Sequence, residues 1–276
     1  KKKNKFSKIK SICIGNIYLG GTGKTPLTIK LYEIIKKMDF NVITAKKFYP
    51  NQVDEQTLLK NKTQTIIAKK RLDAINKAID NAKDVVIFDD GLQDRNIDYD
   101  LKIVCFKKNN WIGNGQLIPS GPLREKVDSL KNYDVVFLNG KNNSSVNIEE
   151  TILKINSKIR IFNSNYEIKN LDKLDKNSNY FIFSGIGDPS SFKEILIENN
   201  INVIKEKIFT DHYIYKKEDV KNIIEEAKKV NAKILTTEKD FVKLSDDVTG
   251  EIDFLKIELK IEEEQKFINF LNDKLN

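Results

Sequence analysis

The sequence predicts an α/β protein: a P-loop nucleotide-binding lobe on a mostly parallel, doubly wound sheet, followed by a smaller second α/β lobe. Three observations point there. Short apolar runs alternate with stretches of helical periodicity along most of the 276 residues. The first run, Ser11–Ile14, leads straight into a glycine-rich loop, Gly15 to Pro26 (GNIYLGGTGKTP). A later run ends in two adjacent carboxylates, Asp89 and Asp90, followed by Gly91.

Taken in order, Ser11–Ile14, Asn41–Ala45, Asp84–Phe88, Leu101–Phe106 and Tyr133–Leu138 read as buried strands. Their continuous apolar character fits strands covered on both faces. Between them, Leu27, Leu31, Ile34 and Ile35 share one helix face, and Leu72, Ile75, Ile79 and Ala82 share another. The polar stretch Gly140–Val146 (GKNNSSV) is a boundary signal. Beyond it, Tyr180–Ser184, Asn202–Ile208 and Lys233–Thr237 read as strands of a second series. Phe192, Ile195 and Leu196 mark one helix there, and Val220, Ile223, Ile224 and Ala227 another. The expected organisation is a first lobe over 1–160, a β linker over 161–175 and a smaller lobe over 176–276. The last helix is expected to pack back on the first lobe, with a cleft between lobes as the place for two substrates.

Composition excludes several classes. Two cysteines cannot build a disulfide framework or a Cys-based zinc site, and one histidine excludes any site needing two. No apolar run reaches the ~18 residues of a spanning helix, and no signal-peptide pattern is visible. A soluble or peripheral protein of a reducing compartment is expected. Lys+Arg number 48 against 40 Asp+Glu, a net +8. Six of those positive charges are lysines within Lys1–Lys10 (KKKNKFSKIK), a segment without an acid. Such an arm suits an anionic surface, nucleic acid or membrane, or is a solvated tail.

The glycine loop has a definite chemistry. Glycines let backbone N–H groups curl around phosphate oxygens, and a helix N-terminus adds positive potential. Gly20, Gly21, Thr22, Gly23, Lys24 and Thr25 are therefore the expected nucleotide cradle. Lys24 reaches the β/γ-phosphates and the Thr25 hydroxyl sits on Mg²⁺. Pro26 suits the first helical turn, where its missing N–H costs nothing. The general pattern places Gly where Tyr18 stands, and one variant places Lys where Leu19 stands. The acid pair at the end of the Asp84–Phe88 run is either a plain Asp-Gly turn or the carboxylates that hold Mg²⁺ or its water. The glycine loop upstream favours the metal reading.

Four further patches complete the pattern: the Gly/Pro loop Gly113–Glu125, Ser184–Pro189, Phe209–Tyr213 with the single histidine, and Thr236–Leu244. With the Gly20–Pro26 loop and Asp89–Gln93, this series resembles the tetraacyldisaccharide 4'-kinase family of lipid A biosynthesis, from about Ser11 to Leu244. The resemblance implies transfer of the γ-phosphate of ATP to the 4'-hydroxyl of a tetraacyldisaccharide 1-phosphate, with Mg²⁺, at the cytoplasmic face of the bacterial inner membrane. It also implies two α/β lobes joined by a short β link. There are departures. The apolar N-terminal helix usual in the family has no counterpart in these residues. The family's Ser-Arg-Gly-Tyr-Gly is replaced by Lys46-Lys47-Phe48-Tyr49-Pro50, and its Gly-Asp-Glu-Pro by Val53-Asp54-Glu55-Gln56.

The resemblance implies roles for single residues. Asp54 is the base for the sugar hydroxyl, and His212 is the partner that orients it or shares the proton, brought over the cleft from the second lobe. Glu55 and Asp89 are candidate Mg²⁺ ligands beside Thr25, with Asp90 a supporting acid. Asn114 and Arg124 are assigned to the substrate. Arg124 pairs with a phosphate of lipid or nucleotide, or else with its neighbour Glu125. Lys239 and Asp240 read as a structural pair. The expected partners are the lipid disaccharide and an anionic membrane surface through Lys1–Lys10, with no nucleic acid, for a monomer. Two other readings stay open: another P-loop small-molecule kinase or ATP-dependent ligase, and an ATP-driven partitioning or RNA-associated switch. No stacking aromatics interleave with the basic residues, which disfavours single-strand binding.

Overall fold

The computed structural model describes residues 4–141, 146–245 and 250–276. The chain packs as two compact units. The first comprises residues 1–49, 59–166 and 259–276, and the second 50–58 and 167–258. The partition is interleaved. The segment 50–58 packs with the second unit and 259–276 with the first.

The first unit begins β1 (Lys10–Gly15), α1 (Lys24–Lys37), β2 (Val42–Lys47). After α2 (Val53–Lys62), which starts in the second unit, come β3 (Thr65–Ala68), α3 (Arg71–Asp80), β4 (Val85–Asp89) and β5 (Leu101–Lys107). Then follow β6 (Val135–Asn139), α4 (Ile148–Ile155) and β7 (Arg160–Ile168). The second unit holds β8 (Asn179–Ser184), α5 (Pro189–Glu198), β9 (Asn202–Ile208) and α6 (Lys217–Lys229). It continues with β10 (Lys233–Thr237), α7 (Glu238–Phe241) and β11 (Ile252–Leu255). Then β12 (Ile257–Ile261) leads back to α8 (Glu264–Leu275) in the first unit.

The large sheet runs β12-β7-β6-β5-β1-β4-β2-β3, and every pair from β7 to β3 is parallel. Strand alternation sorts its side chains into two cores. Ile12, Ile14, Val85 and Ile87 face α1 and α8, where Leu27, Leu31, Phe267 and Leu271 cover them. Cys13, Val86 and Phe88 face the other way, onto Ala74, Ile75 and Ala78 of α3. Further along that sheet, Val104, Phe106, Val136 and Leu138 pack with Ile148 and Ile152 of α4. Each of these strands is buried on both faces, which is why its sequence reads as an unbroken apolar run.

The second unit repeats the plan on a smaller scale, with a sheet in the order β11-β10-β8-β9. Tyr180 and Ile182 pack with Phe192 and Leu196, and Phe181 and Phe183 with Val220, Ile223 and Ala227. Mixed α/β architecture on a large, mostly parallel sheet with a second, smaller one is thus as expected. The eight expected strands are present with ends shifted by up to two residues. The short edge strand β3 was not anticipated, because four residues (TIIA) give no periodicity to read. Of the expected boundary signal Gly140–Val146, residues 142–145 lie outside the described residues, and its flanks belong to the first unit.

The basic segment is partly built into the fold. Lys10 is the first residue of β1, Ile9 is buried, and Phe6 packs against the α3-side core. Asn4 donates its backbone N–H to Asn96 O at 2.9 Å and accepts from the Asp98 N–H at 2.9 Å. Residues 4–10 are therefore anchored and not a free tail, while Lys1–Lys3 lie outside the described residues. Among the described residues no helix is long and apolar enough to cross a membrane.

Candidate active site

In the first unit the chain leaves β1 at Gly15 and enters α1 at Lys24, so the glycine loop sits at the carboxyl ends of parallel strands. That is where open α/β sheets bind ligands. Gly20 and Gly23 have φ of 106° and 89°, values that side-chain-bearing residues rarely adopt. A Cβ at Gly23 would also come within 2.9 Å of the Asn139 amide and the Tyr166 hydroxyl. Buried Asn16 pins the loop, donating to Gly20 O at 3.3 Å and to Thr22 Oγ1 at 3.0 Å. Lys24 and Thr25 then form the first turn of α1, and Thr25 is buried.

Asp89 ends β4 beside them. Period-two alternation carries it to the α1 side with Val85 and Ile87. Its Oδ2 accepts the Thr25 hydroxyl at 3.0 Å, and its Oδ1 accepts the Thr28 hydroxyl at 3.4 Å. A lysine that the sequence reading passed over completes the cluster. Lys46 is the penultimate residue of the neighbouring strand β2, parallel register places it opposite Asp89, and its Nζ stands 2.8 Å from Asp89 Oδ2. The sequence carries only half of the signal, a lysine near the end of one apolar run and an acid after another, with nothing local to say that the two strands are neighbours.

Asp90 follows with φ 60°, a left-handed conformation that Asp tolerates better than most residues. Its backbone carbonyl accepts from Arg71, and its Oδ1 lies 3.5 Å from the Arg124 guanidinium. Arg124 is brought there because the end of the Gly113–Glu125 loop runs against the first half of the glycine loop. Arg124 N–H donates to Ile17 O at 2.7 Å, and Leu19 N–H to Pro122 O at 2.8 Å. The ion pair expected between Arg124 and Glu125 is not what forms. Glu125 instead accepts from Gln93 at 3.1 Å and from Tyr133 at 2.9 Å. Asn114 uses both ends of its amide inside its own loop, donating to Ser120 O at 2.9 Å and accepting from Gln116 N–H at 3.1 Å.

The second unit gathers a different set. Asp54 opens α2 with its side chain 2% exposed, and His212 Nδ1 lies 2.9 and 3.0 Å from its two oxygens. The Glu55 N–H donates to Asp54 Oδ1 at 2.8 Å. Lys239 Nζ lies 3.5 Å from Asp54, 3.3 Å from Glu55 and 3.3 Å from Asp211. His212 Nε2, the other ring nitrogen, stands 3.9 Å from Glu55 and 3.7 Å from Asp211. His212 itself is held at φ 59° by its N–H bond to Gly185 O at 3.1 Å.

The expected Lys239–Asp240 pair does not form. Lys239 turns to the three carboxylates, and fully buried Asp240 is held by Lys243 at 2.6 Å. Tyr215, Gly185 N–H and Thr237 also donate to Asp240, at 3.0, 3.0 and 2.7 Å. Asp240 thus ties the turns that carry His212 and Lys239. Burial pushes the Asp54 carboxyl up, but the His212 hydrogen bond and the Lys239 ammonium outweigh it, and it is held below its ordinary value. Burial pulls the Lys239 ammonium down, and Glu55, Asp54 and Asp211 more than reverse this. Asp54 is therefore kept ionised inside a nearly closed pocket of charge.

The glycine loop fits a nucleotide phosphate chain, with its positive-φ glycines and the amino end of α1. For a divalent cation the fit is narrower. Thr25 offers its hydroxyl lone pairs, because its proton is committed to Asp89. Asp89 fits an outer position, since the oxygen shared with Thr25 also carries Lys46. Glu55, expected as a ligand, belongs to the second unit and is engaged there by Lys239. Among the described residues no three His, Cys, Asp or Glu side chains gather as a metal cage.

Comparison with known proteins follows the same lines. The family described as tetraacyldisaccharide-1-P 4'-kinase matches residues 1–276. A tetraacyldisaccharide 4'-kinase of Pelagibacter ubique (strain HTCC1062) is 49% identical over 273 residues, 98% of this chain and 87% of that protein. One of Rickettsia bellii (strain OSU 85-389) is 35% identical, over 86% of this chain and 77% of the relative. The crystal structure of LpxK from Aquifex aeolicus in complex with ATP has the same fold, with a TM-score of 0.72. It is 23% identical, and the match covers 100% of this chain and 91% of that one.

The depressed Asp54 carboxyl has a stability consequence with a definite sign. Its contribution is fully present above the unfolded value of about 4 and is lost as pH falls through the folded value. Asp54→Asn should therefore unfold at lower urea than the parent at pH 6, and the gap should narrow as the pH falls below about 4. A gap independent of pH would show that the pair does not stabilise the ionised form.

Proposed function

We propose that this chain, which belongs to the tetraacyldisaccharide-1-P 4'-kinase family, transfers the γ-phosphate of ATP to the 4'-hydroxyl of a tetraacyldisaccharide 1-phosphate. The observation that carries the chemistry is the buried Asp54–His212 hydrogen bond of 2.9 Å, held among lysines in the second unit. A loop that binds phosphate is common to many nucleotide enzymes. An ionised acid gripping the single histidine is what a hydroxyl acceptor requires.

On this reading the loop Gly20–Thr25 binds the ATP phosphates through its backbone N–H groups, and the Lys24 ammonium draws charge off the γ-phosphate. Thr25, with Asp89 in an outer role, would hold a Mg²⁺ that arrives with ATP, and the ion would supply further neutralisation of phosphate charge. Arg124, kept in place by Asp90 and by its backbone bond to Ile17, takes a phosphate oxygen of either substrate. Asn114 shapes the loop that presents Arg124.

The 4'-oxygen attacks the γ-phosphorus, the bond from that phosphorus to the β-bridging oxygen breaks, and ADP leaves. The hydroxyl proton passes late in transfer to the Asp54–His212 pair. His212 offers Nε2, the ring nitrogen that Asp54 does not engage, while Asp54 fixes the Nδ1–H tautomer and balances the imidazolium that forms. This exchanges the roles the resemblance implied, and the support is that Asp54 is nearly inaccessible while His212 is 17% exposed. Phosphoryl transfer is otherwise positioning and charge stabilisation, which the loop and the lysines provide.

We place the enzyme as a monomer at the cytoplasmic face of the bacterial inner membrane. Lys5 and Lys8, in the anchored segment, and Lys1–Lys3 before it meet anionic headgroups there. Each basic residue near such a surface contributes about 1 kcal/mol.

With Mg²⁺, ATP and detergent-solubilised tetraacyldisaccharide 1-phosphate, Lys24→Ala should abolish turnover. His212→Ala and Asp54→Ala should each lower kcat by roughly 10²–10⁴ with ATP affinity nearly unchanged, the range expected for loss of general base assistance. Wild-type kcat in His212→Ala would remove the pair from the mechanism. Replacing Lys1, Lys2, Lys3, Lys5 and Lys8 by Gln should weaken binding to anionic vesicles, most visibly at low salt, and spare turnover on detergent-solubilised lipid. Equal vesicle binding at every salt concentration would dismiss the arm as a membrane contact.

A further inference from the structure

Lys46 has no part in the transfer just described, yet it is among the most deeply buried charged groups of the chain. The residue is 2% exposed, and in its contact with Asp89 the side chains are 1% and 0% exposed. An isolated ammonium or carboxylate at such a depth is costly, and here each faces the other at 2.8 Å. The same Asp89 oxygen accepts the Thr25 hydroxyl at 3.0 Å, and the other oxygen accepts from Thr28. The arrangement is built by the sheet. Val42, Thr44 and Lys46 lie on one face of β2, Val85, Ile87 and Asp89 on the same face of β4, and the register sets Lys46 opposite Asp89.

A divalent cation bonded to that Asp89 oxygen would sit at about 2.1 Å from it. The oxygen is already 2.8 Å from an ammonium, so cation and ammonium would be pressed together in a buried, weakly screened place. We propose that Lys46 is a resident counter-cation of the phosphate site. It neutralises Asp89 and so keeps divalent ions off that carboxylate. It also leaves Thr25, its hydroxyl proton fixed on Asp89, as the protein's direct contact to a metal that arrives with the nucleotide. Lys46 is a positioning residue, acting through Asp89 and Thr25. The inference rests on the phosphate-site reading of the glycine loop, and it is independent of which hydroxyl receives the phosphate.

The test is a Mn²⁺ titration of the full-length chain by electron paramagnetic resonance, with and without ATP. Without ATP the wild type should bind Mn²⁺ weakly, and Lys46→Arg, which keeps the charge, should match it. Lys46→Met, of similar length but neutral, should bind Mn²⁺ at least ten-fold more tightly without ATP, because Asp89 is then free to take it. A variant that merely loosened the fold would not gain metal affinity. Equal Mn²⁺ affinity in wild type and Lys46→Met overturns the proposal. If Lys46→Met does not fold, the wild type and Asp89→Asn with Lys46→Met, which removes both charges, still decide. A tight nucleotide-free Mn²⁺ site in the wild type that this double variant abolishes overturns the proposal, and weak binding in both supports it. A chain that behaves this way with Mn²⁺ but phosphorylates no lipid would refute the acceptor assignment alone.

Discussion

The carboxylate of Asp89 is the point on which the first unit's chemistry turns. It is buried, and it holds the Thr25 hydroxyl, the Thr28 hydroxyl and the Lys46 ammonium together. That arrangement exists only if β1, β4 and β2 lie side by side and parallel, because the register pairs Ile14 and Lys46 with Asp89 from opposite sides. The glycine loop, the acid and the lysine then share the carboxyl ends of the strands. Everything behind them follows from burying those strands twice over, between α1 and α8 on one face and α3 and α4 on the other. A slip of one residue in β2 would turn Lys46 to the other face and leave Asp89 without its counter-charge.

The second unit solves a complementary problem. An acid must stay ionised in a buried position beside a histidine, and Lys239 and Lys243 supply the field that allows it. Asp240 absorbs the charge of Lys243 and ties together Gly185, Tyr215 and Thr237. The close approach of backbone there explains Gly185, where a Cβ would lie 3.1 Å from Thr210 O and from the Tyr215 hydroxyl. Segment 50–58 belongs to this unit although β2 and β3, which bracket it, belong to the other. Asp54 and His212, distant in sequence, are therefore held within one packed body, and their geometry is set there.

Much of this was legible in the sequence. Apolar runs buried on both faces announce a parallel sheet, and Gly20–Pro26 between a strand and a helix announces a phosphate site. The acid pair at Asp89 and Asp90 follows from its place at a strand's end. What was not legible depended on pairing between strands. Nothing local says that β2 neighbours β4, so Lys46 read only as a departure from a family pattern and not as the partner of Asp89. Lys239 beside Asp240 invited pairing by adjacency, but helical geometry sends Lys239 to Asp54 and Asp211 and brings Lys243, three residues on, to Asp240. Arg124 and Glu125 failed as a pair because each meets a partner distant in sequence or across a turn, Arg124 the carboxylate of Asp90 and Glu125 the side chains of Gln93 and Tyr133.

The most direct test of the account is the structure of the product. Incubated with Mg²⁺, ATP and tetraacyldisaccharide 1-phosphate, the protein should form one ADP per lipid consumed. Phosphorus NMR should then show one new phosphomonoester, on the 4'-oxygen, beside the unchanged 1-phosphate. ADP release without a new lipid phosphate, or a phosphate on another oxygen, would contradict the assignment of Asp54 and His212 to the 4'-hydroxyl.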